Sequence, residues 1–441
     1  MQTAETISAV KPTLALLGGK PAVGEIDPAL FHWPIVTQED EDAVLDVIRN
    51  GNTSRIDITQ KFEAEYAGWV GSKYALAYCN GTAALLGAMW ACGVGAGDEI
   101  ICPSVTYWAS AAPALSLGAT VHFADIDPRT LCIDPNDIEH RISPRTKAIV
   151  VVHYAGYPCK MDAIMAIARR HGVKVIEDVS HAQGSLYKGK HCGTIGDVGA
   201  MSMMGGKSFA VGEGGMLVTD NREILERCIA FGHYERTGGP SRFAQSEAEV
   251  HGALRKFKGI PIGGYKHRIN QTCSAMGRVQ LKSYPRRITE IQQAINRFWD
   301  LLDGVPGLTA HRPAPESGST MGGWYFPRGL YNADELGGLN CAKFCEAVRA
   351  EGVSVAQPGA NLPLHGHAVF HEADLFNQGK PTAIAFGQRD VRQPASGSLP
   401  NAERIGEIAF GIPWFKHDWP EAIEKFANVY RKVAENADQL L

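Results

Sequence analysis

The stretch AIVVVHYAGYPCKMDAIMAIARRHGVKVIED, residues 148–178, decides the fold. It opens on a run of Val and Ile, the pattern of a strand buried on both faces. MDAIMAIARRH, residues 161–171, then places apolar residues at helical spacing, and Gly172 supplies the stop. VKVIED, residues 173–178, returns to the strand pattern. Strand, helix and strand of these lengths form a βαβ unit with parallel strands. Asp178 therefore falls at the carboxyl end of a strand, the edge where open α/β sheets collect their ligands.

The same alternation extends toward the N-terminus. YALAYCN (74–80) precedes GTAALLGAMWACG (81–93), and DEIICPS (98–104) precedes a helix spanning Trp108 to Leu117, so both turns face the same edge. Beyond it, Gly238 to Gly264 is rich in Gly, Pro and charge and reads as a long loop ordered in an oligomer. Arg286 to Leu302 reads as a long helix handing over to a second unit, with a strand-like GGWYFPRGLY (322–331) and helices at Cys341–Glu351 and Trp419–Ala437. The expected organisation is an N-terminal extension (1–33), a large domain (34–290) and a smaller C-terminal α+β domain (291–441).

Composition narrows the class. The 441 residues are 45% hydrophobic and 20% charged with a formal net charge of -4, the balance of a soluble globular protein and not of a basic nucleic-acid binder. No apolar run approaches membrane-spanning length. The start, MQTAETISAVKPTLALLGG, lacks a basic segment before its short apolar stretch and does not read as a secretory signal, so the expectation is a cytoplasmic protein. The 10 cysteines form no CxxC pair, which removes a zinc or dithiol motif; Cys341 and Cys345 share a helix face.

Chemistry concentrates around Lys207, in MSMMGGKSFAVGEGGMLVT (201–219). Flanking glycines let the backbone approach a ligand and leave the lysine accessible. Such an amine, once its proton affinity falls, can form an imine with an aldehyde; a phosphate-binding or solvated lysine is the plainer reading. Pyridoxal phosphate (PLP) would also need an acid at its ring nitrogen and donors for its phosphate. Asp178 meets the first need, although an aspartate there also suits a metal or a turn. Gly81 and Thr82 open a helix directly after a strand and so offer amides and a hydroxyl to an anion, or make an ordinary turn and cap. Ser202 adds a hydroxyl five residues before Lys207.

In combination and in this order, NGTAAL, PSVTYWAS, VIEDVSHAQGS, the Ser202-to-Lys207 spacing, GEGG (212–215) and GYKHRI (264–269) resemble the DegT/DnrJ/EryC1/StrS sugar aminotransferases over Pro34 to Ile412. The resemblance implies the PLP-dependent transferase fold type I, with a mostly parallel seven-stranded sheet flanked by helices. It implies that Lys207 is the Schiff-base lysine, that Asp178 pairs with the ring nitrogen, and that Gly81, Thr82 and Ser202 hold the phosphate. By the same resemblance Tyr107 stacks on the pyridine and His181 lies near its 3-oxygen. In relatives the GYKHRI segment reaches the neighbouring subunit's phosphate, usually through an asparagine; Lys266 stands there instead, and a homodimer with shared sites is implied. Met203 replaces a usual phenylalanine and reads as packing.

Glutamate or glutamine is the implied donor and a keto-sugar or cyclitol the acceptor. Arg268 suits a donor carboxylate, a phosphate or an interface salt bridge. By the resemblance His365 lies in a segment that shapes the substrate pocket, with a polar loop as the plainer reading; His233, after the strand and helix that follow GEGG, reads as a polar-loop histidine. LALLGGKPA (14–22) resembles the start of cyclitol aminotransferases. Lys207 argues against the related dehydratases, which carry His at that place. An aromatic-forming enzyme such as an aminohydroxybenzoate synthase keeps the lysine and stays open, and a non-enzymatic PLP-binding regulator is the reading outside catalysis.

Overall fold

The structure, a computed structural model, describes residues 12–238 and 249–441. Its main sheet contains β1 (Tyr74–Tyr78), β2 (Glu99–Pro103), β3 (Thr120–Ala124), β4 (Thr146–Val152) and β5 (Lys174–Asp178). A short ladder of β6 (Leu186–Tyr187) and β7 (Lys190–His191) follows, and then β8 (Val198–Ser202) and β9 (Gly215–Thr219) complete the sheet. The order is β1-β9-β8-β5-β4-β2-β3, and β9 alone runs antiparallel to its neighbours. The decisive βαβ unit forms as read: Gly172 closes the helix Met161–His171 in the left-handed conformation, at φ 67°.

This topology gathers one edge. The carboxyl ends of β1, β2, β4, β5 and β8 lie together, and because β9 is reversed its first residue, Gly215, sits opposite both Ser202 and Tyr78. Everything between residues 203 and 214 therefore hangs over that edge as a hairpin. The strands of the sheet bury nearly every side chain, as expected of a sheet covered on both faces.

A second, three-stranded sheet pairs β10 (Leu308–Ala310), β11 (Arg328–Tyr331) and β12 (Ala409–Gly411). Its core contains Phe298, Phe344, Phe410, Phe415 and Tyr430, and Leu14, Val23 and Leu30 of the N-terminal stretch bury into it. The helix Gln271–Leu301 crosses between cores, with Ile288 packed under the large sheet and Ile291 in the second core. Among the described residues no helix is long and apolar enough to cross a membrane.

Four sequence expectations change. The long helix begins at Gln271 and not at Arg286; Pro285 lies inside it on an exposed face, while Leu281, Tyr284 and Ile288 bury on the other and hold the helix through the proline. Trp108 to Leu117 is a 3-10 turn (Trp108–Ser110) and one short helix (Pro113–Ser116), since Pro113 interrupts the run. GGWYFPRGLY is a strand only from Arg328, because Trp324 and Phe326 take left-handed backbone at φ 51° and 49°. In the expected loop after Gly238, Gly252–Phe257 forms a 3-10 helix, and residues 239–248 lie outside the described residues.

Phe298 is fully buried with its ring 5.4 Å from Tyr430 and 5.7 Å from Phe415. Replacing Phe298 with Ala should cost about 3–5 kcal/mol, read as a lower urea midpoint at unchanged slope.

Candidate active site

At the carboxyl edge of the main sheet a cavity of about 570 Å³ is lined by residues from five strand ends and by the second unit. Gly81, Thr82, Tyr107, Asp178, His181, Ser202 and Lys207 all line it.

One end has donors that could hold an anion. Asn80 caps the helix Gly81–Ala91, its side chain accepting from the Ala83 amide at 2.8 Å, and the Ala84 amide donates to the Asn80 carbonyl at 3.3 Å, which leaves the Gly81 and Thr82 amides for the cavity they line. Gly81 has no alternative: a Cβ there would lie 2.6 Å from Ser202 Cβ. Ser202 is held from both sides, its amide donating to Ser180 Oγ at 3.0 Å and its carbonyl accepting from Gln183 Nε2 at 3.0 Å. Ser180 also lines the cavity, a residue the sequence reading passed over.

Asp178 is buried with both oxygens engaged: Ser110 Oγ donates to Oδ2 at 2.6 Å and the Ser180 amide donates to Oδ1 at 3.0 Å. Ser110 is itself 2.9 Å from Thr106 Oγ1. These hydroxyls fix the direction in which the carboxylate faces the cavity. The signal for Ser110 lay in PSVTYWAS, where only the tyrosine had been singled out.

Lys207 sits at the turn of the hairpin between β8 and β9. Met203 donates its amide to the Gly214 carbonyl at 2.8 Å, Gly205 to Gly212 at 2.8 Å, and Gly212 takes φ 92°, a conformation that suits glycine. Trp33 Nε1 donates to the Lys207 carbonyl at 2.9 Å, and Gln183 Oε1 accepts from the Phe209 amide at 2.9 Å. Met203 is fully buried in the core beneath. The amine lies 3.9 Å above the Tyr325 ring. Burial pushes the Lys207 amine down to about 8, against the opposing pull of the Asp178 carboxylate.

His181 packs between Tyr154 and Tyr325, with ring centroids 5.4 and 4.7 Å away. Burial first, then the positive charges of Lys207 and Arg328, hold it well below the ordinary imidazole range, so it is neutral. The Ala155 amide donates toward Nδ1 at 3.4 Å, which leaves the ring proton on Nε2. Tyr107 stands at the mouth, 49% exposed, beside Trp108.

The remaining candidates lie elsewhere in the single chain. Lys266 is exposed and Arg268 half-buried, and neither lines the cavity. Their segment runs along the end of β1, where the Cys79 amide donates to the His267 carbonyl at 2.7 Å and Tyr78 bridges Arg268. His365 is buried outside the cavity, 2.8 Å from Ser104 Oγ and 3.3 Å from Glu403; these polar partners, not a substrate pocket, surround it here. His233 is a core histidine, bonded to the Ala77 carbonyl at 3.1 Å, with burial pushing it down to about 3. The second unit instead contributes Tyr325, Phe326, Arg328 and Asn361, none of which was a sequence candidate. The aromatic run between glycines was their visible trace.

The mostly parallel seven-stranded sheet with its helices and the smaller three-stranded unit are the architecture of a class: transferases of fold type I. The comparisons give the family. The DegT/DnrJ/EryC1/StrS aminotransferase family model matches residues 34–409, and the chain belongs to that family. A putative L-glutamine:3-amino-2,3-dideoxy-scyllo-inosose aminotransferase of Micromonospora echinospora is 31% identical, covering 97% of this chain and 98% of the relative. The spore coat polysaccharide biosynthesis protein SpsC of Bacillus subtilis is 37% identical over 63% of this chain and 70% of its own length. The X-ray structure of the aminotransferase from Psychrobacter cryohalolentis superposes with a TM-score of 0.77 at 28% identity, covering 92% of this chain and 99% of that one.

Two outcomes test the geometry. With an amine titrating near 8, roughly a tenth is unprotonated at pH 7, so capture of a small aldehyde by the apoprotein should rise about tenfold per pH unit up to about 8 and then level. A rise continuing toward 10.5, followed by absorbance, would contradict the site. Gly81→Ala should weaken binding of a phosphate-bearing aldehyde at least about tenfold through displacement of Ser202, measured by titration of the apoprotein.

Proposed function

We propose that this aminotransferase uses pyridoxal phosphate and moves the amino group of L-glutamine onto the ketone of a cyclitol of the inosose type. The observation that carries the cofactor reading is the convergence of the Lys207 amine, the Asp178 carboxylate and the Gly81–Ser202 cradle on one cavity. The donor set fits the group at each end: amides and hydroxyls for a phosphate, a fixed carboxylate for a ring nitrogen, and an amine of low proton affinity for an aldehyde. When bound, pyridoxal phosphate supplies a ring that withdraws electrons from the carbon losing its proton.

The chain's own residues do the rest. Gly81, Thr82 and Ser202 would hold the phosphate, and Tyr107, at the mouth of the site, would cover the ring. Asp178, aimed by Ser110 and Ser180, would keep a proton on the ring nitrogen. His181 would offer its Nε2 proton to an oxygen substituent of the ring. Lys207 Nζ would hold the cofactor, and the same amine would take and return the proton at the donor's Cα. An amine near 8 can accept and return that proton at physiological pH. In a homodimer Lys266 and Arg268 reach the neighbouring subunit's site; Lys266 brings a point charge where relatives use an asparagine.

The cyclitol acceptor and the glutamine donor rest on relatives matched over nearly the whole chain, the Micromonospora protein above and an L-glutamine:scyllo-inosose aminotransferase of Streptomyces griseus at 29% identity over 93% of this chain. A second reading, a nucleotide-linked keto-sugar, draws on GDP-perosamine synthase of Escherichia coli O157:H7, 38% identical over 52% of this chain.

The deciding measurement is kcat/KM for scyllo-inosose-type ketones against nucleotide keto-sugars, with glutamine and glutamate each as donor. The cyclitol should lead by at least about tenfold, a difference of about 1.4 kcal/mol, and a lead by the nucleotide sugars would transfer the assignment to them. Lys207→Ala should abolish turnover with every pair while leaving the fold intact by circular dichroism.

A further inference from the structure

A second cavity, of about 710 Å³, opens in the smaller unit. Lys207, Asp178, Gly81 and Ser202 do not line it; Phe326 and Arg328 border both cavities. Its walls are mostly apolar, with Val23, Phe31, Ile412, Trp414 and Phe426, and it reaches solvent beside the exposed Val355. Among the described residues two basic side chains, Lys416 and Arg328, line it and no Asp or Glu does.

Lys416 follows β12 and is 3% exposed, its amide donating to the Leu30 carbonyl at 3.0 Å. Its Nζ lies against the ring of Trp414, itself a wall of the cavity, and 5.1 Å from the centre of the Trp33 ring. Among the described residues that Nζ has no hydrogen-bond partner. Burial holds the amine well below its ordinary range. A methionine would fill the same space without the cost of an unpaired buried amine, so packing does not account for a lysine here. An anionic oxygen brought by a ligand would supply the missing partner.

We propose that this cavity is a second binding site, taking a small aromatic carboxylate whose ring packs on the apolar walls and whose carboxylate accepts from Lys416 Nζ. The class follows from the lining: apolar walls suit a ring, basic groups without acids suit an anion, and one buried amine suits a single negative charge better than a dianion.

The test titrates the full chain with 1-naphthoate and with its uncharged analogue 1-naphthamide by calorimetry, in wild type, Lys416→Met and Val355→Trp. Wild type should bind naphthoate at least about 30-fold more tightly than naphthamide. Lys416→Met should erase that preference, weakening naphthoate while naphthamide changes less than about threefold, which also reports that the cavity is intact. Val355→Trp, at an exposed position that leaves the core untouched, should weaken both ligands at least about tenfold by filling the mouth. Naphthoate affinity that survives Lys416→Met, as it would for a ligand seated beside Lys207, would overturn the proposal. So would full affinity for naphthoate in Val355→Trp, equal weakening of both ligands in Lys416→Met, or no binding of naphthoate to wild type. None of these outcomes depends on the aminotransferase reading.

Discussion

Backbone touching backbone beneath the cavity is the constraint on which the site depends. Gly81 lies against Ser202, and Gly215 lies against the Asn80 carbonyl, each so close that a Cβ would collide. These contacts press the first turn of the helix Gly81–Ala91 onto the ends of β8 and β9. They are possible only because β9 runs backward between β1 and β8, which brings its first residue to the same edge as their last. With β9 reversed, the chain after Ser202 returns at once to the same edge, so residues 203–214 form a hairpin that carries Lys207 there. The hairpin and the close approach of Gly215 to Asn80 both follow from that reversal.

On that frame the electrostatics are arranged by burial. Lys207 is taken from water, which weakens its hold on a proton, and the Asp178 carboxylate only partly restores that hold. Pairing the amine directly with Asp178 would have returned it to a permanently charged state and made it useless as a base. The structure avoids this by giving both Asp178 oxygens other donors, Ser110 and Ser180. His181 is kept neutral by the same desolvation and by the cations around it.

The residues of the large sheet were legible because each stands at a fixed offset from a strand end, and strand ends are marked by where an apolar run stops. Asp178, Ser202 and Gly81 are of this kind. Residues brought by the second unit were not, since Tyr325, Arg328 and Asn361 reach the cavity through tertiary packing that no local period encodes. Pro285 misled for a related reason. Its local rule is to end a helix, but buried Tyr284 and Ile288 on the opposite face outweigh it. Lys266 is exposed and Arg268 half-buried, both away from the cavity, so their motif was not one that the chain's own fold carries to the site.

The wall opposite the sheet shows how that tertiary information is stored. Trp324 and Phe326 both adopt left-handed backbone, which costs bulky residues on the order of 1–3 kcal/mol each. The alternation that results points Tyr325 at Lys207 and leaves Phe326 56% exposed beside the cavity. Trp414 Nε1 holds the segment by donating to the Gly323 carbonyl at 2.9 Å, and the Tyr154 hydroxyl ties Asn361 to the large sheet at 2.7 Å. Trp33 completes the circuit by bonding the Lys207 carbonyl at 2.9 Å from the N-terminal stretch, whose neighbour Leu30 is anchored in the second core. An extended GGWYFPRG would relieve the strain but would turn Tyr325 away from the amine, so the left-handed pair is stable only because both cores fix its ends.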